Sequence, residues 1–444
     1  MFILLCGYLF IYIERPWEVW SIFGSIPIER IYMLFVLSCF LFWPGKHWAK
    51  NIQHIWVLGF FAMHYLLAPF AYSPEAAFAQ GFEYFKLVVF FLLIVSCLRN
   101  EMELRNFVLA FILVMGLYMA HSLREFIAGR HFYRMGIVRM IGVDQAHGDP
   151  NTFAASIVLS LPFVLAVWRA DKRRYVRLAC FAFGLLALVC IVLTGSRSGF
   201  VCVSLFAVMA FWRFANRKKL FYLAMAVLLI PITFFLMPEE KQNRIRTLWD
   251  SEAGPENAQE SAEGRIAGFE CGMRMFLAKP LTGVGAGRDN FIGYRVAQDD
   301  GTPSQAHNLV GELLGEFGLL GSLFFLAQVL TTLWCCRTVI QSSRFFSIDD
   351  QGFLLHLATA INQGIVLLLV SGLAGHNLYR VHWLWFAAWA VLALEFSKRR
   401  AYAMWSQSES SSSHNYSAGS AHGTLYSRNP TMNPTTRSLQ ENPE

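Results

Sequence analysis

Charge is scarce in this chain. Only 15% of its 444 residues are Asp, Glu, Lys or Arg, against 55% hydrophobic, whereas soluble domains carry about a quarter charged. That scarcity excludes a string of ordinary soluble domains, which length alone would allow. Cysteine provides no framework either. Of nine cysteines, all but Cys271 lie in or beside apolar runs, and no Cys-x-x-Cys pair exists for a metal or redox centre. The first residues lack a basic stretch and a small-residue cleavage site, so 1–14 are expected to form a retained first span. No repeat of solenoid type is visible. The net charge of +7 does not indicate nucleic acid, because the basic residues sit in short links between apolar runs and do not interleave with aromatics.

Long apolar runs are what the chain has instead. A span needs about 20 mainly apolar residues. The expected spans are 1–14, 28–44, 53–71, 84–98, 104–121, 152–168, 178–194, 199–213, 219–237, 307–334, 353–374 and 381–397. The fold expected is an all-α polytopic membrane protein of about twelve transmembrane helices. With the N-terminus inside, the even-numbered links collect the basic residues, among them Arg169, Lys172, Arg173, Arg174 and Arg177, then Arg213, Arg217, Lys218 and Lys219. The positive-inside rule therefore predicts both termini in the cytoplasm. The long hydrophilic break at 238–306 then faces the periplasm and is expected to be partly helical. One outer segment opposes the rule: 122–151 holds Arg124, Arg130, Arg134 and Arg139. Either it is long enough to be exempt, or it binds an anion. The tail from 405 is Ser-, Asn- and Pro-rich and is expected to be disordered.

Four elements carry chemical potential, and each has a bland alternative. Thr194-Gly-Ser-Arg-Ser-Gly-Phe200 puts Arg197 at membrane depth, where it either faces a cavity or snorkels to lipid phosphates. Arg265 opens an expected amphipathic helix over 264–278, with Ile266, Phe269, Met273 and Phe276 on one side; it is a ligand for an anion or an ordinary solvated arginine. Gly283-Val-Gly-Ala-Gly287, followed by Arg288 and Asp289, permits close approach to a ligand or a tight turn. It lacks the Lys-Ser/Thr of a P-loop and a preceding buried strand. His307-Asn308 opens a span, with Glu312 and Glu316 downstream, as a titratable group near the water boundary or as a polar cap. A second pair, His376-Asn377, stands on the same side near Arg380. Arg197, Arg265 and His307 share one side of the membrane in this topology.

The order of these pieces resembles the O-antigen ligase and polymerase superfamily. The residues that carry the resemblance are Asp149-Pro-Asn151, Ser196-Arg197-Ser-Gly199, Arg265, Pro280-Leu-Thr-Gly-Val-Gly285 with Asn290-Phe291, and His307-Asn308 with Glu316-x-Gly318-x-x-Gly321. The match is densest over about 180–340. It implies a helical bundle similar to the GT-C glycosyltransferases, with a large periplasmic loop, in the inner membrane of a bacterium. It implies transfer of a glycan from undecaprenyl diphosphate to lipid A core, to another glycan or to protein, with no metal and no cofactor. It marks Arg197, Arg265 and His307 as functional. Beside the resemblance, Arg288 is a further candidate for the donor diphosphate, and Asn308, Glu316, Asp289 and His376 are candidates for support. Two arginines can clamp phosphate oxygens by bidentate bonds and take the place of a metal ion. A neutral His307 can accept the proton of a sugar hydroxyl, and attack opposite the leaving group inverts the anomeric centre. Asp289 and Glu312 are further candidates for base or orienter. The competing reading is a transporter whose arginines line an anion path; such proteins often show paired halves, and none is visible here.

Overall fold

The structure is a computed structural model, and it describes residues 1–19, 26–134, 137–144, 147–212, 239–246, 256–343 and 352–419. Its helices are α1 (Phe2–Glu14), α2 (Pro16–Val19), α3 (Ile28–Phe42), α4 (Gln53–Leu66), α5 (Pro74–Cys97), α6 (Glu101–Ile127), α7 (Pro150–Ala170), α8 (Arg174–Thr194), α9 (Arg197–Trp212), α10 (Glu239–Arg246), α11 (Glu256–Ala278), α12 (Arg288–Gln298), α13 (Leu309–Ser342), α14 (Gly352–Gly372) and α15 (His382–Gly419). Six of them, α5 to α8, α13 and α14, are long and apolar enough to cross a membrane, and α9 is a shorter apolar helix. The chain is therefore a helical, multi-pass membrane protein. The expected span at 219–237 lies outside the described residues, as does the basic link before it.

Two compact units divide the chain, Met1–Ser397 and Lys398–Glu444. Three details depart from expectation. The link between α6 and α7 carries a small antiparallel ribbon, β1 (Phe132–Arg134) with β2 (Ile137–Arg139), Phe132 opposite Arg139. Extending a helix costs less than starting one, and α15 accordingly continues to Gly419, past the 405 boundary expected for disorder. The third departure is the face of α11. Its buried side is Gly268, Cys271, Gly272 and Met275, while Ile266 and Phe269 are exposed.

Glycine explains that inversion. A Cβ on Gly268 would lie 2.3 Å from the Ala306 carbonyl oxygen, and one on Gly272 would lie 2.4 Å from that of Gly311. Gly268 and Gly272, spaced four apart, meet Gly311 and Gly315 with the same spacing. Small residues at that interval let helix backbones touch, so α11 lies directly on the start of α13. Arg265 and His307 are thereby brought to neighbouring positions.

The glycine turn at 283–287 has a separate structural job. Helix α13 breaks at Gly318, whose φ is +57° and ψ −155°. The freed carbonyls of Gly315 and Glu316 accept from the Val284 and Gly285 amides at 2.8 and 3.0 Å, and the Leu319 and Leu320 amides donate to the Pro280 and Leu281 carbonyls at 2.8 and 3.2 Å. The turn plugs the break, as a broken helix within a membrane bundle requires. Gly283 has φ +65°, and a Cβ there would sit 2.4 Å from the Glu316 carbonyl. At Gly318 the backbone conformation suits only glycine and an added Cβ would lie 2.6 Å from Leu281 backbone, so Gly318→Ala is expected to destabilise by about 2 kcal/mol or more. Gly184→Ala, on α8 with open space around it, is the control and should leave thermal unfolding in detergent unchanged or slightly raised.

Candidate functional site

The polar ends of α7, α9, α12, α13 and α14 and the middle of α11 converge on a cavity of about 650 Å³. Its wall includes Asp149, Arg265, Arg288, His307, His376 and Arg380. Three guanidinium groups and two imidazoles thus face one space, with Asp149 as the carboxylate opposing them.

Each group is held by local chemistry. Asp149-Pro150 is a helix start of the expected kind, a capping carboxylate followed by proline at the first helical position; Asp149 accepts from the Thr152 amide at 2.8 Å. Asn151 accepts from Ser196 Oγ at 2.9 Å and from Arg139 Nη2 at 3.1 Å. Arg139 also donates to the Thr194 carbonyl at 2.7 Å. This braces the start of α7 against the bend between α8 and α9, where Gly195 adopts φ 56°. Of the arginines in 122–151, Arg139 therefore has an internal, structural task. Arg197 opens α9 just beyond that bend, is 8% exposed, and feels the like charge of Arg265; its neighbour Ser198 lines the cavity.

His307 stands at φ 49°, an uncommon region for a residue with a side chain. It immediately precedes Asn308, whose Oδ1 caps α13 by accepting from the Val310 and Gly311 amides at 2.9 and 3.1 Å. Asn308 also donates to the Leu373 carbonyl at 3.1 Å, which ties α13 to the end of α14. The His307 ring lies against that of His376, centroids 4.0 Å apart. His376 Nδ1 in turn forms a short hydrogen bond with Glu312 Oε1. Burial, the neighbouring His376 and Arg265 push His307 down to about 4. Burial also lowers His376 to about 4. Both rings are neutral at physiological pH, and His307 can accept a proton.

Arg380 was the group least visible in the sequence. It lies between α14 and α15, donates to Ser156 Oγ at 3.0 Å and the Thr152 carbonyl at 3.3 Å, and is lowered to about 10 by burial. Burial also lowers Arg265, with Asp149 opposing the shift. A desolvated guanidinium without a full counter-charge favours an anionic ligand. Arginine next to an apolar helix start was the available signal for Arg380.

Other expected residues take different places. Asp289 is exposed on the first turn of α12 and lies outside the cavity wall, whereas Arg288 beside it, also exposed, lines that wall. Glu316 is buried below the cavity, accepting from the Gly287 amide at 2.6 Å and from the Tyr379 hydroxyl; it secures the glycine turn. The covering segment before α13 is pinned by Arg274 with Asp299 and by Arg295 with Asp300. Among the described residues no group of His, Cys, Asp and Glu converges as metal ligands would.

No curated protein matches the chain. Residues 181–326, a stretch that contains Arg197, Arg265 and His307, match the family model for O-antigen ligase.

Proposed function

We propose that this protein is an inner-membrane glycan transferase. It moves an oligo- or polysaccharide from a polyprenyl diphosphate to an acceptor sugar, in the manner of an O-antigen ligase acting on lipid A core. The observation that carries the reading is the pairing, in one cavity, of Arg265, Arg288 and Arg380 with a neutral His307. The guanidinium groups suit a diphosphate leaving group, whose charge grows as the glycosidic bond breaks. His307 suits the acceptor hydroxyl, taking its proton as the oxygen attacks the anomeric carbon. The new glycosidic bond forms as the bond to the diphosphate breaks, on the opposite face, and the configuration inverts. Glu312 and His376 hold the His307 ring from behind.

The charge pattern supports a periplasmic site with both termini in the cytoplasm. A reporter fused near residue 270 is expected to read as periplasmic; a cytoplasmic signal sinks that topology. The same donor chemistry serves a polymerase or a protein-directed transferase, and the acceptor separates them. Deleting the gene and running the surface glycans on a gel is the discriminating experiment. Loss of capped lipopolysaccharide is the expected result. Shortened chains indicate a polymerase, lost protein glycosylation a protein-directed enzyme, and unchanged glycans overturn the transferase reading.

A further inference from the structure

Arg380 is held by hydrogen bonds that lead away from the cavity it lines. Its Nη1 donates to Ser156 Oγ at 3.0 Å and its Nη2 to the Thr152 carbonyl at 3.3 Å. Both acceptors are neutral, so they orient the guanidinium without cancelling its charge. Behind Ser156 the contacts continue. His147 Nε2 lies 2.9 Å from Ser156 Oγ, and His147 Nδ1 lies 3.0 Å from both carboxylate oxygens of Asp144. Asp144 also accepts from the Tyr118 hydroxyl and pairs with Arg15 Nε at 3.7 Å. Tyr118, Asp144 and Ser156 are all buried. The row thus runs from the end of α1 and from α6, through the link before α7 and α7 itself, to the link before α15.

Buried polar groups are costly unless each donor finds an acceptor, and here one arrangement of hydrogens satisfies the row. The Asp144 carboxylate accepts from His147 Nδ1, which leaves Nε2 of the neutral ring as an acceptor. The Ser156 hydroxyl then donates to Nε2 and turns a lone pair toward Arg380. Without His147 that hydroxyl has another acceptor, the Thr152 carbonyl at 3.2 Å. Arg380 Nη2 uses the same carbonyl, so two donors would compete for it and the guanidinium would lose its fixed plane. Serine, histidine and aspartate in contact also make up a nucleophilic triad. Ser156 is badly placed for that role: it lies inside α7, where the amides around it are committed to helix bonds and supply no oxyanion hole.

We infer that His147 and Ser156, aligned by Asp144, are positioning residues for the donor site that act through Arg380. The inference rests on the transferase reading above, in which Arg380 helps to hold the diphosphate. A double-mutant cycle tests it, with the full chain in lipid nanodiscs and affinity for a bare prenyl diphosphate as the readout. His147→Phe keeps a ring against Tyr118 and removes both hydrogen bonds. Ser156→Ala deletes a single atom from α7, and serves alone should the ring substitution prevent folding. Each is expected to weaken binding about fivefold, the scale of one hydrogen bond, and less than about twofold when Arg380→Ala is also present. A row that only braced the link before α7 would lower thermal unfolding and weaken binding equally in both backgrounds. That result, or wild-type affinity in either folded single variant, overturns the inference. An Arg380→Ala protein that binds as the wild type does also overturns it, and leaves Arg265 and Arg288 to carry the transferase reading. Failure of the wild type to bind the prenyl diphosphate overturns that reading, and this inference with it.

Discussion

His307→Ala is expected to lower the rate of glycan transfer at least about a hundredfold, the usual scale for a lost general base, with binding of the lipid diphosphate changed less than about twofold. The split follows from placement. His307 faces the cavity but contributes no charge at neutral pH, so it acts on the acceptor proton and not on the diphosphate. The pH profile should carry its signature. Protonating the ring abolishes its role as base, and burial, His376 and Arg265 hold it down to about 4, with Asp149 opposing and Arg295 adding to the effect. The activity due to His307 is therefore present through neutrality and is lost as pH falls through about 4. His376→Phe keeps a ring against His307 but removes the hydrogen bond to Glu312; a smaller loss, about tenfold, is expected for a residue that only positions the base. Full activity of the His307→Ala protein in reconstituted vesicles, at equal levels of inserted protein, would exclude it as the base.

Arg265→Ala is expected to cost about a hundredfold to a thousandfold in turnover, as removal of a preorganised donor does elsewhere, together with weaker donor binding. Arg265 is desolvated, close enough to Arg197 to feel its charge, and opposed in the cavity by Asp149. Two like charges held together before the ligand arrives are relieved by a diphosphate, and the relief is greatest when the leaving group carries its full charge. Arg265→Lys should restore little, because an ammonium cannot offer the planar fork that grips two phosphate oxygens. Arg288→Ala should cost less, since that side chain is exposed and water shares its contact. A turnover assay with a lipid-linked donor decides it: an Arg265→Ala protein with wild-type kinetics removes the clamp from the mechanism.

The membrane class was legible because hydropathy and charge position are local properties, and a costly charge beside an apolar run stands out wherever it folds. Arg265, Arg288, His307 and His376, which line the cavity, were readable as candidates on that basis. The role of Glu316 was not. Its carboxylate sits between the Gly287 amide and Tyr379, a contact set by the break at Gly318. The glycine turn at 283–287 was open to two readings, and what separates them is the set of amides and carbonyls it exchanges with the broken α13.

By itself the sequence determined that this chain is a helical, multi-pass membrane protein, and it singled out the cations and imidazoles that stand beside its apolar runs. Hydrocarbon tolerates little else, so composition alone forces those conclusions. Tertiary structure alone decided which of them share a cavity. Gly268 and Gly272 against Gly311 and Gly315 bring Arg265 beside His307, Arg380 enters from the far end of the chain, and Asp289 is left outside. Such proximities depend on backbone approach between helices distant in sequence, and no local pattern of residues encodes that distance.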